Sequence, residues 1–583
     1  MTDDSHPQSA APEADLRQAI SFIQKNRVWI ILGIILLFGL YVRVYHLSYP
    51  VVGYHNWKET HYLAEARNFA KHGFLYEGLF VPHWDYPSIN DPASGVHGDT
   101  LPTGPIVTGF LFMLFGPSLA LARLVSIFFV LGAVVFGFLI VQKLFRRTDL
   151  ALVTAALLAL NPLLVFFGRT GADIINPGFF FILVGVYYYL CWIEKPSWKN
   201  LVVFSLSVTL GVMSKYPNAL IGIPMAAVFP WHRLMKKEEF KKYWKQLVVF
   251  AIIFSMLFIW VGYTNSYTEK LGTLNVGKQV RLINFSVLFT SEFWATMKAF
   301  AADNYTLGGV AVALLSSLLF LFLYTKKSRR ISAELNDSFA GRFIVSYILG
   351  AVVWFAVMSF KLKGHSYHQY PLVFLFAVLV AFGVVFAASS IAKLLTFMGV
   401  KNAHWLTAVR VALLVAFVVM YFFAAKPAWE RQFNTQFVGL DLAGDYIRTH
   451  SVPNETIFHP SHQSYGVLWH ADRTGYYMTK NVTQFKEVEE KRNGQWVFLY
   501  QWGMKYMQEK DIWEYLQQHY HVAQFAYVPT GNGIAPVYLL LKRGGTFNES
   551  SLNEAVAHSQ QNFVDYEFTG GNTQRLMYAN VAS

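Results

Sequence analysis

Long apolar stretches separated by short polar connections dominate this 583-residue sequence. A helix of about 20 apolar residues crosses a bilayer, and each stretch is about that long, the shorter ones only marginally. The composition of 54% hydrophobic and 14% charged residues is more apolar than a soluble protein needs for its cores. The sequence therefore predicts a polytopic all-α transmembrane bundle. The eleven predicted spans are residues 28–47, 119–142, 149–167, 174–193, 199–214, 217–232, 245–263, 304–325, 342–360, 370–392 and 407–425.

The basic residues of the chain lie mostly in every second connection between these spans. Cytoplasmic loops of membrane proteins are rich in Lys and Arg, so this pattern sets the orientation. The short apolar piece 105–115 would place a basic connection outside if it were a span, so we expect it to lie in the membrane interface. About 11 to 13 spans are predicted, and an odd number places the carboxyl-terminal part outside. The basic residues that set the orientation are Lys143, Arg146, Arg147, Lys195, Lys199, Arg233, Lys236, Lys237, Lys241, Lys242, Lys245, Lys326, Lys327, Arg329, Arg330, Lys393 and Lys401.

Composition divides the chain into three parts. Residues 1–16 are polar and aperiodic, which is typical of a disordered cytoplasmic tail. Residues 17–425 form the transmembrane part, and its long external loop 49–117 is predicted to contain interfacial helices. Residues 426–583 have a helix-like start, short β-like runs and glycine turns, which predict a soluble α/β domain outside the membrane. Cys191 is the sole cysteine, which excludes an intramolecular disulfide and a cysteine-based zinc site.

Glu59 lies in the first external loop, just ahead of a helix predicted at 61–72. This loop is far longer than a connection needs to be, and such loops often have a function. A carboxylate at a helix start also has a purely structural explanation, because acidic residues favour helix N-termini and act as caps. The spacing alone does not decide whether Glu59 caps the helix or has a catalytic role.

Asp173 lies in the segment GRTGAD, at the predicted outer mouth of two spans. An ionisable group so close to hydrocarbon is costly unless it has a partner or a task. The structural alternatives are a helix N-cap or a salt bridge to Arg169. Asp173 is therefore a second candidate for a catalytic carboxylate, with these two alternatives beside it.

A third polar cluster, in the segment KLKGHSYHQY at 361–370, lies at another predicted outer mouth. Lysine and histidine at a membrane surface can bind a lipid phosphate through charge-assisted hydrogen bonds. Interfacial anchoring by lysine and tyrosine is the alternative, and for the tyrosines it is the favoured one. The candidates for substrate contact in and near this cluster are Lys361, Lys363, His365, Tyr367, His368 and Arg169.

The predicted spans and their orientation place the two acids and the basic cluster together at the outer surface of the membrane. Carboxylates beside cations at a lipid surface suit a substrate with an anionic lipid phosphate and a hydroxyl or amine to be deprotonated. Glycosyl transfer from a lipid phosphate fits, since a carboxylate can take the acceptor proton while cations stabilise the leaving phosphate. Attack opposite the phosphate would invert the anomeric centre.

Four segments together carry a resemblance to a known family: HNWKETHYLAEARNFAKHGF, LPTGPIVTGFLFMLFGPSLALARLVS, GRTGADIINPG and HSYHQYPL. In this order they resemble the GT-C membrane glycosyltransferases, most of all the relatives of protein O-mannosyltransferases and of the lipid A aminoarabinose transferase. The resemblance spans roughly residues 28–395. The motifs are loose, so their order is the stronger evidence.

The resemblance implies roles for particular residues. The family's first-loop pair of acids falls on Lys58 and Glu59, so its first acid is missing here. Glu59 is then the expected base, with His55 and His61 as alternatives. The family's second acid falls on Asp173. Its residues that meet the polyprenyl phosphate fall on Lys361, Lys363, His365 and His368. Some members use a divalent metal, and the two acids with nearby histidines could bind Mg²⁺ or Mn²⁺, although the prediction does not require one.

The predicted function is inverting transfer of a sugar from a polyprenyl-phosphate-linked donor to an envelope glycan, lipid or protein acceptor. We expect a prokaryotic inner membrane and an extracytoplasmic active site. The alternatives are a transporter or flippase of lipid-linked sugars and a catalytically degenerate GT-C scaffold, which Lys58 at the position of an acid keeps open. Nucleic acid is excluded as a partner, because the cations follow the cytoplasmic connections and form no patch with aromatics.

Overall fold

The structure is a computed structural model, and it describes residues 11–75, 78–81, 96, 98, 100–270, 283–324, 338–531, 533–559 and 562–581. The described part is a bundle of membrane helices followed by a sheet domain, as the sequence predicts. The helices up to residue 270 are α1 to α11: Ala11–Tyr41, Asn56–His72, Thr103–Phe115, Leu119–Phe145, Thr148–Leu160, Pro162–Phe166, Ile175–Glu194, Trp198–Ser214, Gly222–Val228, Trp231–Leu234 and Lys237–Lys270. The remaining helices of the membrane part are α12 to α17: Ser291–Asn304, Leu307–Tyr324, Ser338–Val357, Ser359–Gly364, Val373–Phe397 and Ala403–Phe433.

Seven helices of the described residues are long and apolar enough to cross a membrane, and a bent pair can supply an eighth. The predicted spans 28–47, 199–214 and 217–232 correspond to shorter apolar helices, so the count of about 11 to 13 stays a prediction. The seven long helical segments are Leu119–Phe145, Ile175–Glu194, Tyr243–Lys270, Leu307–Tyr324, Phe339–Val357, Ser366–Phe397 and Ala403–Phe433.

Two predicted boundaries differ from the structure. Helix α1 begins at Ala11, so residues 11–16 are helical where the sequence predicts a disordered tail; residues 1–10 lie outside the described part. Helix α17 continues to Phe433, past the predicted domain boundary at residue 426. Its apolar pattern ends earlier, but the last turns remain helical and pack on the membrane part, where Phe433 contacts the rings of Tyr45 and Phe166.

The predicted span 149–167 is broken in the middle. Helices α5 and α6 meet at Asn161 and Pro162 with a bend of 58°, because proline lacks the N–H that would continue the helix. Arg43, which is fully buried, donates to the carbonyls of Ala159 (2.8 Å) and Leu164 (3.1 Å) on the two sides of the break. The side chain thus satisfies backbone oxygens that the bend exposes within apolar surroundings.

Helices α2 and α3 fill the first loop, close to the predicted helices at 61–72 and 105–115. They pack tightly at Gly109, where a Cβ atom would lie 2.9 Å from the Cβ of Phe69. The far side of α3 exposes large apolar side chains, including Phe110 and Phe115. An exposed apolar face of this kind is suited to contact with lipid, as the predicted location of α3 in the membrane interface requires.

Among its described residues the sheet domain has seven strands, numbered β1 to β7 in chain order; they lie side by side in the order β2-β1-β3-β5-β4-β7-β6, and the first three of this order are parallel. Two separate apolar clusters cover its two faces. The predicted runs at 496–500 and 537–542 lie in strands, and the run at 455–459 does so from Thr456 onward. Strands β1 to β7 are Thr456–His459, Gly475–Tyr477, Gly494–Tyr500, Tyr520–Thr530, Gly533–Arg543, Phe563–Glu567 and Thr573–Asn580. Helices α18 to α22 are Leu440–His450, Gly466–Ala471, Val482–Lys491, Lys510–His519 and Glu549–His558.

Candidate functional site

Helix α2 supplies the central residues of the candidate site. It starts earlier than predicted, at Asn56, after His55 in the left-handed conformation with a φ of 57°. Lys58 and Glu59 therefore both lie in the first turn. Adjacent residues of a helix point in directions about 100° apart, so the two side chains reach different surroundings.

Glu59 is held in a buried ion pair. Arg123 donates from Nε to Oε1 (2.8 Å) and from Nη2 to Oε2 (3.0 Å), and the N–H of Gly171 donates to Oε1 (2.9 Å). Burial alone would raise the pKa of Glu59, but these donors outweigh it and hold the pKa below its usual value. Glu59 caps no helix. It lines a small cavity of about 60 Å³, which Arg123 and Arg169 also line.

Asp173 is fully buried and pairs with Lys58. Its Oδ1 accepts the N–H of Ile175 at 2.9 Å, so the carboxylate also helps to cap α7, as one alternative predicted. The predicted salt bridge to Arg169 is wrong. Arg169 instead donates to the carbonyl of His46 at 2.9 Å and lies over the ring of Phe433.

The Asp173 loop is positioned by close backbone packing with α3. At Gly104, a Cβ atom would lie 2.2 Å from the carbonyl oxygen of Ala172, so only glycine allows the contact. Thr103 is hydrogen-bonded to Ser214 at 3.0 Å, next to Lys215. The first external loop thereby fixes Asp173 and the end of α8 in one place.

Lys58 lies between Asp173 and an aromatic ring. Its Nζ is 4.4 Å from the ring centre of Tyr367, a distance typical of a cation–π interaction. Burial lowers the pKa of Lys58 to about 8, although Asp173 opposes the shift, and repulsion from Lys215 adds to it. The ammonium of Lys215 is 6.0 Å from the same ring, so two lysines converge on Tyr367.

These residues form one wall of a cavity of about 360 Å³, which we call the cation cavity. Three lysines and three histidines line it, and its described lining contains no carboxylate. Asp173 approaches it only through Lys58. The lining residues are Trp57, Lys58, His61, Tyr62, Ile174, Lys215, Phe360, Lys361, Gly364, His365, Tyr367 and His368.

The structure gathers some of the predicted residues and separates others. His61, Lys361, His365, Tyr367 and His368 line the cation cavity as a group. Five predicted residues do not line it: Glu59 with Arg123, Asp173 behind Lys58, Arg169 at the small cavity, Lys363 in an ion pair with Glu292 (2.6 Å), and His55 behind Trp57.

His55 is a neutral buried histidine. Its Nδ1 accepts the indole N–H of Trp57 at 3.1 Å, and burial lowers the pKa of His55 to about 3. Its ring lies 6.1 Å from the ring of His365 and 5.8 Å from that of Tyr367. His55 therefore packs against the cation cavity without lining it.

Two lysines of the cavity were not predicted as site residues. Lys58 is, by resemblance, only the replacement of an acid, and Lys215 is not singled out by any motif. The signal for Lys215 is its position: it precedes Tyr216 and Pro217 at an outer mouth of the threaded spans, on the same side as Asp173. A cation at that depth needs a partner or a task.

The sheet domain docks directly on α2. Asn56 donates to the carbonyl of Gln463 at 3.0 Å. Arg67 pairs with Asp472 at 2.9 Å and lies over the ring of Trp469. The domain therefore packs on the helix that supplies Lys58 and His61.

The carboxylates do not fit a metal site. Glu59 and Asp173, which the resemblance would assign to a divalent ion, are each held by a cation. Within the part of the chain that the structure describes, no three His, Cys, Asp or Glu side chains are grouped as metal ligands.

Comparison with known proteins agrees with this architecture. A family model described as dolichyl-phosphate-mannose-protein mannosyltransferase matches residues 99–260. The archaeal oligosaccharyltransferase AglB from Archaeoglobus fulgidus, solved with an inhibitory peptide and a dolichol-phosphate, is similar in structure, with a TM-score of 0.53 and 14% identity over 88% of this chain and 74% of that one. Curated protein sequences show no significant match to the chain.

A second group of solved structures covers nearly the whole of both chains. ArnT from Cupriavidus metallidurans in the apo state gives a TM-score of 0.54 and 10% identity over 88% of this chain and 97% of that one. ArnT from the same organism bound to undecaprenyl phosphate gives a TM-score of 0.50 and 10% identity, over 95% of this chain and 98% of that one. The chain is thus a multi-pass membrane protein of the GT-C class by fold. The resemblance predicted from the sequence, to GT-C membrane glycosyltransferases, is confirmed.

Proposed function

We propose that the chain transfers a sugar from a polyprenyl-phosphate-linked donor to an envelope acceptor, and that the cation cavity binds the donor's phosphate. The similar structures support the donor class, because AglB was solved with a dolichol-phosphate and ArnT with undecaprenyl phosphate. The family model that matches residues 99–260 also describes a transferase that uses a lipid-linked sugar.

The observation that carries the proposal is the charge of the cation cavity. Lys58, Lys215 and Lys361 come from three separate elements and line one space without a carboxylate in its described lining. Ammonium groups form strong charge-assisted hydrogen bonds with phosphate oxygens. A fixed set of cations also stabilises the charge that develops on a leaving phosphate, which lowers the barrier to transfer.

The orientation of α7 supports an extracytoplasmic site. Asp173 and the cation cavity lie at the start of α7, while Glu194 at its far end pairs with Lys143 in a connection that also contains Arg146 and Arg147. Basic connections favour the cytoplasmic side. The cavity then faces away from the cytoplasm, in the inner membrane of a prokaryote.

A second candidate function is binding of a lipid phosphate without transfer. It is favoured by one observation: both predicted acids, Glu59 and Asp173, are buried against cations. A chain of this kind would present or sequester the lipid as a degenerate scaffold. It would bind prenyl phosphates as the transferase does but release no sugar.

A transfer assay in membranes separates the two functions. Membranes containing the wild-type chain receive short-chain prenyl phosphates that bear different radiolabelled sugars, and label is followed into lipid, protein and glycan fractions. We expect transfer from at least one donor, its loss in the double variant Lys215→Met/Lys361→Met, and its retention in the control Lys363→Met. Binding of prenyl phosphate with no transfer from any donor would establish the second function instead. Absence of both would refute the proposal.

A further inference from the structure

We propose that His61, held by the buried carboxylate of Glu65, is the general base that takes the proton of the acceptor. This inference rests on the proposed function. It assigns the base to neither of the two acids that sequence resemblance favours. His61 lines the cation cavity, and its Nε2 lies 2.7 Å from Oε1 of Glu65.

The geometry places the base one helical turn from the proposed phosphate site. Lys58, His61 and Glu65 follow one another at i, i+3 and i+7 on α2, so they share one face of the helix. The side chain of His61 is 11% exposed and that of Glu65 is 0% exposed. The imidazole therefore borders the cavity while its carboxylate partner lies behind it.

The pair has the chemistry of a histidine base oriented by a carboxylate. A hydrogen bond from Nε2–H to Glu65 fixes the ring and stabilises the imidazolium that forms when the base accepts a proton. Proton exchange with the acceptor then takes place at Nδ1. The acceptor oxygen forms a bond to the anomeric carbon, the bond from that carbon to the phosphate oxygen breaks, and the electron pair leaves on the prenyl phosphate.

The predicted acids are less suited to this step. Both oxygens of Glu59 accept hydrogen bonds from Arg123, and Glu59 does not line the cation cavity. Asp173 is fully buried and held by Lys58 and the Ile175 N–H. A carboxylate whose oxygens already accept hydrogen bonds is a weak base, whereas the pKa of histidine suits it to proton transfer near neutral pH.

The charges around His61 set its response to pH. Glu65 on α2 favours the protonated ring, while Lys58, Lys215, Lys361, His365 and His368 face the same cavity from α2, from the end of α8 and from the segment 361–368. Glu65→Gln removes the carboxylate that contacts the ring, and the described lining of the cavity holds three lysines and no carboxylate. The acidic limb of the rate profile should then move to lower pH, because the ring loses its proton more readily.

The test compares His61→Asn and Glu65→Gln with His72→Asn, an exposed histidine at the end of the same helix. Binding of unglycosylated prenyl phosphate and the pH dependence of kcat are measured for each. We expect His61→Asn to lower kcat by about 100-fold or more, with prenyl phosphate affinity within about threefold of wild type. Glu65→Gln should shift the acidic limb downward, and His72→Asn should match wild type.

Three further outcomes separate the role of His61 from the proposed function. Imidazole added to His61→Ala should restore part of the transfer rate, which a merely misfolded variant would not show. A His61→Asn variant with the wild-type rate and pH profile would overturn the role of His61 and leave the proposed function intact. A wild-type chain that binds prenyl phosphate without transferring sugar would overturn the proposed function itself.

Discussion

Lys58 and Asp173 form a buried ion pair that joins the first turn of α2 to the loop before α7. Their side chains are 3% and 0% exposed. The resemblance treats position 58 as a lost acid, but the structure gives the lysine two contacts of its own: the carboxylate of Asp173 and the ring of Tyr367. The pair keeps an ammonium group at the wall of the cation cavity and keeps the carboxylate away from it.

Removing one partner of this ion pair should lower the stability of the folded protein. Asp173→Asn leaves the ammonium of Lys58 buried without its counter-ion, and such a loss destabilises a protein by about 3–5 kcal/mol. We expect a clear fall in the midpoint of thermal unfolding in detergent. The double variant Lys58→Met/Asp173→Leu should recover part of the loss, since no charge is then buried. A single variant as stable as wild type would show that the pair contributes nothing.

The ion pair of Glu59 with Arg123 should make stability depend on pH. The folded state lowers the pKa of Glu59 below its usual value near 4.5, so the stabilisation is complete above that value and is lost as the pH falls through the folded pKa. Glu59→Gln should cost about 2 kcal/mol at pH 7. The difference from wild type should narrow below pH 4.5, as followed by unfolding midpoints across the pH range. A difference that stays constant down to the acid-unfolding pH would contradict this account.

Lys215 should contribute to phosphate binding more than Lys363 does. Lys215 lines the cation cavity, whereas Lys363 pairs with Glu292 outside it. A charge-assisted hydrogen bond contributes about 1.5–3 kcal/mol, so Lys215→Met should weaken binding of prenyl phosphate by roughly 10- to 100-fold. Lys363→Met is the matched control and should bind as wild type. Equal losses in the two variants would mean that only the overall charge matters.

Docking of the sheet domain on α2 should depend on Arg67 more than on Asp472. The side chain of Asp472 is 38% exposed, and exposed ion pairs contribute about 1 kcal/mol or less. Arg67 is buried, lies over Trp469 and donates to its carbonyl at 3.1 Å, so Arg67→Met should cost about 2 kcal/mol. Limited proteolysis between residues 433 and 440 reports domain release. Faster cleavage in Asp472→Asn than in Arg67→Met would reverse the assignment.

The architecture follows from features that a sequence displays locally. Each predicted span corresponds to one helix or, at 149–167 and 217–232, to consecutive shorter helices, because apolar length and flanking charge set its position. The strands at 496–500 and 537–542 follow from β-branched and aromatic runs. The break at Pro162 was missed because the whole apolar stretch was counted as one span, although proline is a local signal for a helix break. Arg43, which bridges the break, lies more than a hundred residues away in sequence.

The site was predicted less well, because its key distances join residues far apart in the chain. Asp173 and the 361–368 segment were rightly placed at one end of the bundle. The ion-pair partners of the two acids were not predicted. Asp173 pairs with Lys58 and not with Arg169, and Glu59 pairs with Arg123. Helix α2 starts at Asn56, several residues before the predicted start. Lys58 and Glu59 are therefore part of the helix, and its geometry decides which neighbour each side chain meets.

Photo-crosslinking tests the central claim, that the cation cavity binds the donor phosphate, most directly. A prenyl phosphate with a diazirine beside its phosphate is bound to the full-length chain in lipid nanodiscs, irradiated, and the labelled peptides are identified. We expect label on residues 57–62, 215 and 360–368, which excess prenyl phosphate should compete away and which should be reduced in Lys215→Met/Lys361→Met. Label confined to the sheet domain or to lipid-facing helices, and equally strong in that double variant, would contradict it.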